Sequence, residues 1–286
     1  MDSNVLDTTF ASGQAAFFIS NCFAAGMYVC QDLTLTNNLI EHGPNIGSVS
    51  GNGWPVSGGT AITTGTRTLV RNNLAIDIDG INYGGALCSQ TPPYAHCSGG
   101  VTFQLQHTYN YTIDHNTSIN RPSQFQNALV FTDFPPSTDI AFQLTNNLQF
   151  GSPFANANTP GGTLANLPSP TFGGDYFVGD YWSYPTIWGI TNTPAYPAGV
   201  QSLSASTVSI AGNPPVTCQN NDNVLQSCWP LDWALVGFVD LTGGNAGTDL
   251  AGLTLVGSSP LHNAATDGMD VGANVPAVLA AVSSVQ

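Results

Sequence analysis

Four segments of the chain repeat one pattern, and no other property of the sequence limits the fold as much. They read LTLTNN-LIEHG at 33–43, RTLVRNN-LAIDIDG at 67–80, YTIDHN-TSINR at 111–121 and FQLTNN-LQFG at 142–151. Each is a short alternating run, a polar corner that ends in asparagine, and a second short run. The corner asparagines are Asn38, Asn73, Asn116 and Asn147, spaced by 35, 43 and 31 residues. Periods of this length mark solenoids, propellers or arrays, in which each repeat buries its apolar face against its neighbours. Uneven spacing around a constant centre indicates one type of coil carrying connections of variable length.

Three and five residues before the asparagine stand Leu35/Leu33, Val70/Thr68, Ile113/Tyr111 and Leu144/Phe142. They alternate with Thr34, Thr36, Arg71, Thr112, Asp114, Gln143 and Thr145, the period of two of a strand with one face in and one out. Leu39, Leu74, Thr117 and Leu148 follow the corner and are expected to point inward. A further strand is expected before each corner, at AAFFIS (15–20), GTAITT (59–64), GVTFQLQ (within 99–106) and NALVFT (127–132). Each coil then holds three short strands. Stacked coils place equivalent residues about 4.8 Å apart, close enough for the corner asparagines to bond one another as a ladder. His115 stands where Asn37, Asn72 and Asn146 stand in the other coils, and it reads as a member of the corner.

The pattern fades from Gly151 to Trp233. That stretch holds many of the prolines and a dense aromatic group: Tyr176, Phe177, Tyr181, Trp182, Tyr184, Trp188 and Tyr196. The group fits a small local core as well as a ligand platform. TVSIAGN at 207–213 reads as a degenerate coil, and PAVLAAV at 276–282 as a short helix covering the last coil. One domain is expected over 1–286: regular coils to about 151, an irregular excursion over about 152–235, and a closing coil and cap over about 236–286.

The TNNL, RNNL and IDHNT corners, with the ending SSPLHNAATDGMDVGAN at 258–274, resemble the right-handed parallel β-helix repeat proteins of the pectate-lyase-like superfamily, in their secreted bacterial form. The resemblance implies an all-β, single-stranded right-handed parallel β-helix with long loop excursions and a short C-terminal capping segment. It matches the C-terminal part of such proteins. In that superfamily substrate lies along the outside of the first strand, walled by the loops before it.

Composition narrows the partners. The chain has 286 residues, a formal net charge of −14 and only 7% charged residues. Its cations besides histidine are Arg67, Arg71 and Arg121; Glu41 is the single glutamate. Nucleic acid and anionic membrane both need clustered Lys and Arg, so neither is an expected partner. No apolar run is long enough to span a bilayer. Six cysteines fall into three local pairs, Cys22/Cys30, Cys88/Cys97 and Cys218/Cys228, which suits disulfides and a secreted or cell-surface protein, although six cysteines allow many connectivities. None has zinc-site spacing. Met1 leads into no apolar signal segment, so the start is expected to be a boundary within a longer chain, and the uncapped first coil is expected to associate with something.

Candidate chemistry gathers where the third strands end. Four residues past the corner stand His42, Asp77 and Asn120, expected to form one outward column. Asp77 and Asp79 alternate with Ile76 and Ile78, so both carboxylates are expected on one outer side. They suit acid and base in glycoside hydrolysis, or calcium binding. In a lyase, Arg121 or His42 would abstract the proton beside a uronate carboxylate, with Tyr83 behind them. The stretches Gly43–Gly58, Gly80–Gly99 and Arg121–Gln126 carry Trp54, Tyr83, Tyr94, His96 and Phe125, flat faces that suit sugar rings. Plainer roles fit the same residues: solvated aspartates, a loop brace at His96, a cross-coil ion pair between Arg71 and Asp114, and turn chemistry for Asp267 and Asp270.

Three functions are compatible with this reading. The first is an extracellular polysaccharide lyase or glycoside hydrolase; the low cation content favours neutral glycans or a calcium-dependent site. The second is a glycan-binding or surface protein without catalysis. The third is a structural solenoid that self-associates through its first coil. No cofactor motif accompanies any of them.

Overall fold

A computed structural model describes residues 2–7, 17–19, 32–43, 46–50, 67–78, 103–106, 110–120, 129–131, 143–150, 155–156, 171–178, 200–203, 216–219, 225–228 and 236–285. Its strands build three parallel sheets. The first contains β2 (Phe17–Ile19), β5 (Gly47–Ser50), β8 (Phe103–Gln106), β11 (Leu129–Phe131) and β14 (Ala155–Asn156). The second contains β3 (Leu33–Thr36), β6 (Thr68–Arg71), β9 (Tyr111–Asp114), β12 (Gln143–Thr145) and β15 (Thr171–Gly173). The third contains β1 (Val5–Asp7), β4 (Leu39–Glu41), β7 (Leu74–Ile78), β10 (Thr117–Asn120), β13 (Leu148–Phe150), β16 (Asp175–Val178) and β17 (Val200–Leu203). From β1 to β16 consecutive strands visit the sheets in rotation, and each coil pairs with the coil before it; β17 then adds directly to β16 in the third sheet. This arrangement, with its asparagine ladder, is compatible with a parallel β-helix. An antiparallel hairpin, β18 (Val216–Gln219) with β19 (Leu225–Cys228), stands apart from the three sheets.

The corner between the second and third sheets explains the repeat. Its outer residue has a left-handed backbone in every coil: Ser3 (φ 56°), Asn37 (55°), Asn72 (54°), His115 (51°), Asn146 (59°) and Gly174 (65°). Asparagine, histidine and glycine are the types that accept this region most readily. The inner residue then forms the ladder. Asn4, Asn38, Asn73 and Asn116 each direct both backbone N–H and side-chain Nδ2 to the Oδ1 of the next coil's asparagine, at 2.8–3.1 Å. The last acceptor is Asn147. By register the ladder position in the following coil is Asp175. Two corners, at Ser3–Asn4 and Gly174–Asp175, thus extend the four visible in the sequence.

Leu35, Val70, Ile113 and Leu144 stack in register on the second sheet, buried to within 3% exposure, as the alternation predicts. The third sheet departs from expectation. Leu39, Leu74, Ile76, Ile119 and Leu148 share a buried cluster with Val236, Leu253, Leu261, Val271, Val275, Val278 and Val282. They therefore face outward, against the C-terminal segment, while Ile40, Ala75, Ser118 and Gln149 take the inner face. Both faces of this sheet are covered, and period-two patterning cannot say which of two covered faces is the interior.

Residues 236–285 form that cover. Asp240 caps α1 (Leu241–Asn245), a short 3-10 turn follows at Leu250–Leu253, and Asn274 caps α2 (Val275–Val282). The segment runs back across the coils as a strap. Thr266 donates its N–H and Oγ1 to Asn146 Oδ1, at 2.8 and 3.0 Å. Gly272 N–H donates to the Asn146 carbonyl (2.8 Å), Ala273 N–H to Thr117 Oγ1 (2.8 Å), and Asn274 N–H to Asn72 Oδ1 (2.6 Å). α2 then packs towards β4. The expected helix is present, but it covers the outer face of the early third strands rather than the last coil, because the apolar stripe it needs lies there.

The first-sheet strand of the Asn73 coil is β5, at Gly47–Ser50, paired with β2 and β8. The strand expected at 59–64 is displaced from that role, and residues 59–64 lie outside the described residues, as does the degenerate coil expected at 207–213.

Candidate functional site

The third strands of the first three coils end beside one another and bring together four titratable side chains. Asp7 closes β1 and pairs in register with Glu41 at the end of β4; Glu41 pairs in turn with Ile76. His42 and Asp77 both adopt φ of 51°, a left-handed kink at the same place in successive coils. His42 Nδ1 lies 2.7 Å from Asp7 Oδ1, and its Nε2 lies 3.8 Å from Asp77 Oδ2. The imidazole therefore stands between two carboxylates supplied by the coils on either side. Asp7 and His42 are open to solvent, whereas the Asp77 side chain is 7% exposed.

Glu41 completes the cluster. Burial raises its pKa above the usual glutamate range, the neighbouring Asp7 charge raises it further, and His42 opposes both. The strap closes one side: a side chain built on Gly247 would meet Glu41 Oε1 at 3.6 Å and Ile76 Cδ1 at 3.9 Å. Chemically, the cluster sets a carboxyl of raised proton affinity beside Asp7, Asp77 and the His42 imidazole. Environments that separate the proton affinities of neighbouring groups assign acid and base roles.

Several sequence expectations are corrected here. Asp77 is buried rather than solvated, at a residue whose backbone is left-handed. Asn120 does not continue the column. A register shift between Ser118 and Asn120 sets it opposite Ile78. The His42–Asp77 pairing does form. Asp7 and Glu41 were not foreseen; they become visible once Asp2-Ser3-Asn4 is read as a corner, since Asp7 then falls on the Glu41 position. Asp79, Arg121, Trp54, Tyr83, Tyr94 and His96 lie outside the described residues, as do Cys22, Cys30, Cys88 and Cys97. Cys218 and Cys228 lie on the two strands of the hairpin, opposite Gln226 and Val216. Among the described residues no group of three or more His, Cys, Asp or Glu side chains is disposed to hold a metal ion.

A second cluster surrounds His115. Its ring is 5% exposed, with Nδ1 3.0 Å from Asp114 Oδ1 and Nε2 3.5 Å from Asp267 Oδ1 of the strap. Neither approach has the alignment of a well-formed hydrogen bond. Arg71 Nε pairs with Asp114 Oδ2 at 3.1 Å across adjacent coils, as the column alignment predicts. Burial works against the Asp114 charge, yet His115 and the hydrogen bonds from Thr145 (2.8 Å) and Asn146 (3.1 Å) prevail and hold its pKa below the usual range. The ending TDG and MDVG does turn chemistry, since Asp267 accepts from Met269 N–H and Asp270 from Asn263 N–H. It also docks the strap, through Thr266 and Asp267. His115 is architecture on this evidence of its neighbours; His42 is the exposed counterpart.

The chain matches no protein-family model, no curated protein and no solved structure.

Proposed function

We propose that the chain is a right-handed parallel β-helix of the pectate-lyase-like kind and an extracellular carbohydrate-active protein. On this reading it cleaves glycosidic bonds, with Glu41 as the acid that protonates the leaving oxygen. His42, held by Asp7 and Asp77, takes a proton from the water that attacks the anomeric carbon as the leaving oxygen departs with the proton from Glu41. The observation that supports it is the raised proton affinity of Glu41 beside a carboxylate-clamped imidazole, at the border where the third sheet gives way to the first. A hydrolase on neutral glycans suits the charge of −14 better than a lyase on polyuronates, which the chain would repel. Local disulfides at Cys22–Cys30, Cys88–Cys97 and Cys218–Cys228 and an oxidising compartment belong to the same proposal.

The test is a panel of neutral and uronate polysaccharides, with and without calcium, read for reducing ends and for the ultraviolet absorbance of an unsaturated uronate. Release of reducing ends that is lost in both Glu41→Gln and His42→Ala supports the hydrolase. Unsaturated product would replace it with a lyase. Binding without cleavage, undisturbed by either substitution, would leave a glycan-binding protein.

A further inference from the structure

The inner face of the solenoid contains polar atoms that its own chain does not satisfy. Ser118 Oγ and both amide atoms of Gln149 are buried with no hydrogen-bond partner, and so are Thr68 Oγ1 and Tyr111 OH. These residues lie on the inner faces of the sheets. Thr117, Ile119 and Leu148 on the same strands as Ser118 and Gln149 turn outward to the strap, which leaves Ser118 and Gln149 pointing in. The two stand in successive coils, one residue beyond the pair Thr117–Leu148. Thr68 and Tyr111 are directly opposite each other in register on the second sheet.

Buried polar atoms in folded proteins almost always find a partner, and where protein supplies none, ordered water does. The requirement is two to four polar contacts and space for one molecule. Ser118 offers one donor and its lone pairs, and Gln149 offers two donors and a carbonyl oxygen. The inner column of the third sheet runs Ile40, Ala75, Ser118 and Gln149, so the two coils before Gln149 carry small side chains where the Asn38 coil carries isoleucine.

We propose that the solenoid binds internal water at two places, one bridging Ser118 Oγ and the Gln149 amide, the other held by Thr68 Oγ1 and Tyr111 OH. The ladder asparagines satisfy the corner with protein groups alone, and these two sites satisfy the inner faces with solvent.

The wild-type protein tests this directly. A crystal structure at a resolution that shows ordered solvent should place a water within about 3.2 Å of both Ser118 Oγ and a Gln149 amide atom, and another near Tyr111 OH. Water-to-protein magnetisation transfer in solution should show a long-lived water at the Gln149 side-chain amide. A dry interior in which Gln149 and Ser118 bond directly to protein groups would overturn the proposal. Substitution gives an independent reading. If water is present, Gln149→Met and Ser118→Ala leave the melting temperature unchanged or lower, because they remove a satisfied group. If the site is dry, Gln149→Met removes an orphaned amide, and a clear rise in melting temperature would count against internal water.

Discussion

Two histidines in this molecule each stand between two aspartates, and they do different things. His115 has one aspartate from its own strand and one from the strap, and almost no exposure. His42 has aspartates from the coils before and after it, and its ring is 37% exposed. The chemistry of the groups is the same. What differs is what the second aspartate is attached to. At His115 it belongs to a segment that must be held, so the cluster joins two parts of the chain. At His42 it belongs to the rigid stack, so the cluster holds a ring in place and leaves its edge available. Composition of a cluster alone would have ranked the two equally; attachment and exposure separate them.

The comparison can be tested by disturbing each side, beginning with the largest effect. Ending the chain at residue 235 removes the strap and uncovers Leu39, Leu74, Ile76, Ile119 and Leu148. Loss of the cooperative thermal transition and aggregation on a sizing column are expected; a stable monomer would show that the strap is an accessory. Asn116→Ala attacks the ladder to which both clusters are anchored. It removes three hydrogen bonds donated by the side-chain amide and takes away the acceptor of two Asn73 N–H donors. A loss of about 3–5 kcal/mol in denaturant unfolding is expected.

His115→Asn should cost only about 1 kcal/mol, because asparagine occupies the same left-handed corner in neighbouring coils. The substitution should speed proteolysis within 264–274 while leaving any glycan cleavage intact. His42→Asn, which keeps a residue suited to the left-handed backbone, should do the reverse, abolishing cleavage with little change in the melting curve. If both variants behave alike, the distinction drawn between them fails.

Two carboxyls give opposite pH signatures. The folded pKa of Asp114 is lowered, so its stabilisation is present above the ordinary aspartate range and is lost as pH falls through the folded value. Asp114→Asn should therefore lower stability at neutral pH and flatten the acid limb of unfolding. The folded pKa of Glu41 is raised, so its charge disfavours the fold as pH climbs from the ordinary glutamate value through the folded one. Glu41→Gln should keep or gain stability at neutral pH, with the gain vanishing in acid, while activity disappears. The smallest effect belongs to Arg67, whose paired contacts to Asp32 at 2.6 and 2.7 Å are fully exposed; Arg67→Ala should not move the melting curve measurably.

Much of the stack was legible from residues alone. The asparagine corners, the inward Leu35–Val70–Ile113–Leu144 column and the Arg71–Asp114 pair all follow from alignment, because a parallel stack repeats side-chain roles at fixed offsets from a corner. Corners written in other letters were harder to see. Ser3–Asn4 lacks a preceding apolar run, and Gly174–Asp175 keeps the geometry with glycine and an isosteric acid. Alternation misled where both faces are covered, as in the third sheet, and at Asp77, whose backbone is left-handed. Of the candidate site, His42 and Asp77 were readable from spacing. Asp7 was hidden behind the unread first corner, and the proton affinity of Glu41 depends on burial and on a neighbour from another coil, neither of which spacing records.

The strap also works as a ruler. Coils joined only through the ladder are interchangeable units, since any coil with asparagine at the inner corner accepts the one below and offers itself to the one above. Stack length is then free to drift by whole coils. The strap is not free in this way. Thr266 must meet Asn146, Ala273 must meet Thr117 and Asn274 must meet Asn72, three contacts in three successive coils fixed by the distance between them in the chain. Inserting or deleting a coil in this part of the stack would put every later contact out of step. The C-terminal segment thus measures the number of coils beneath it.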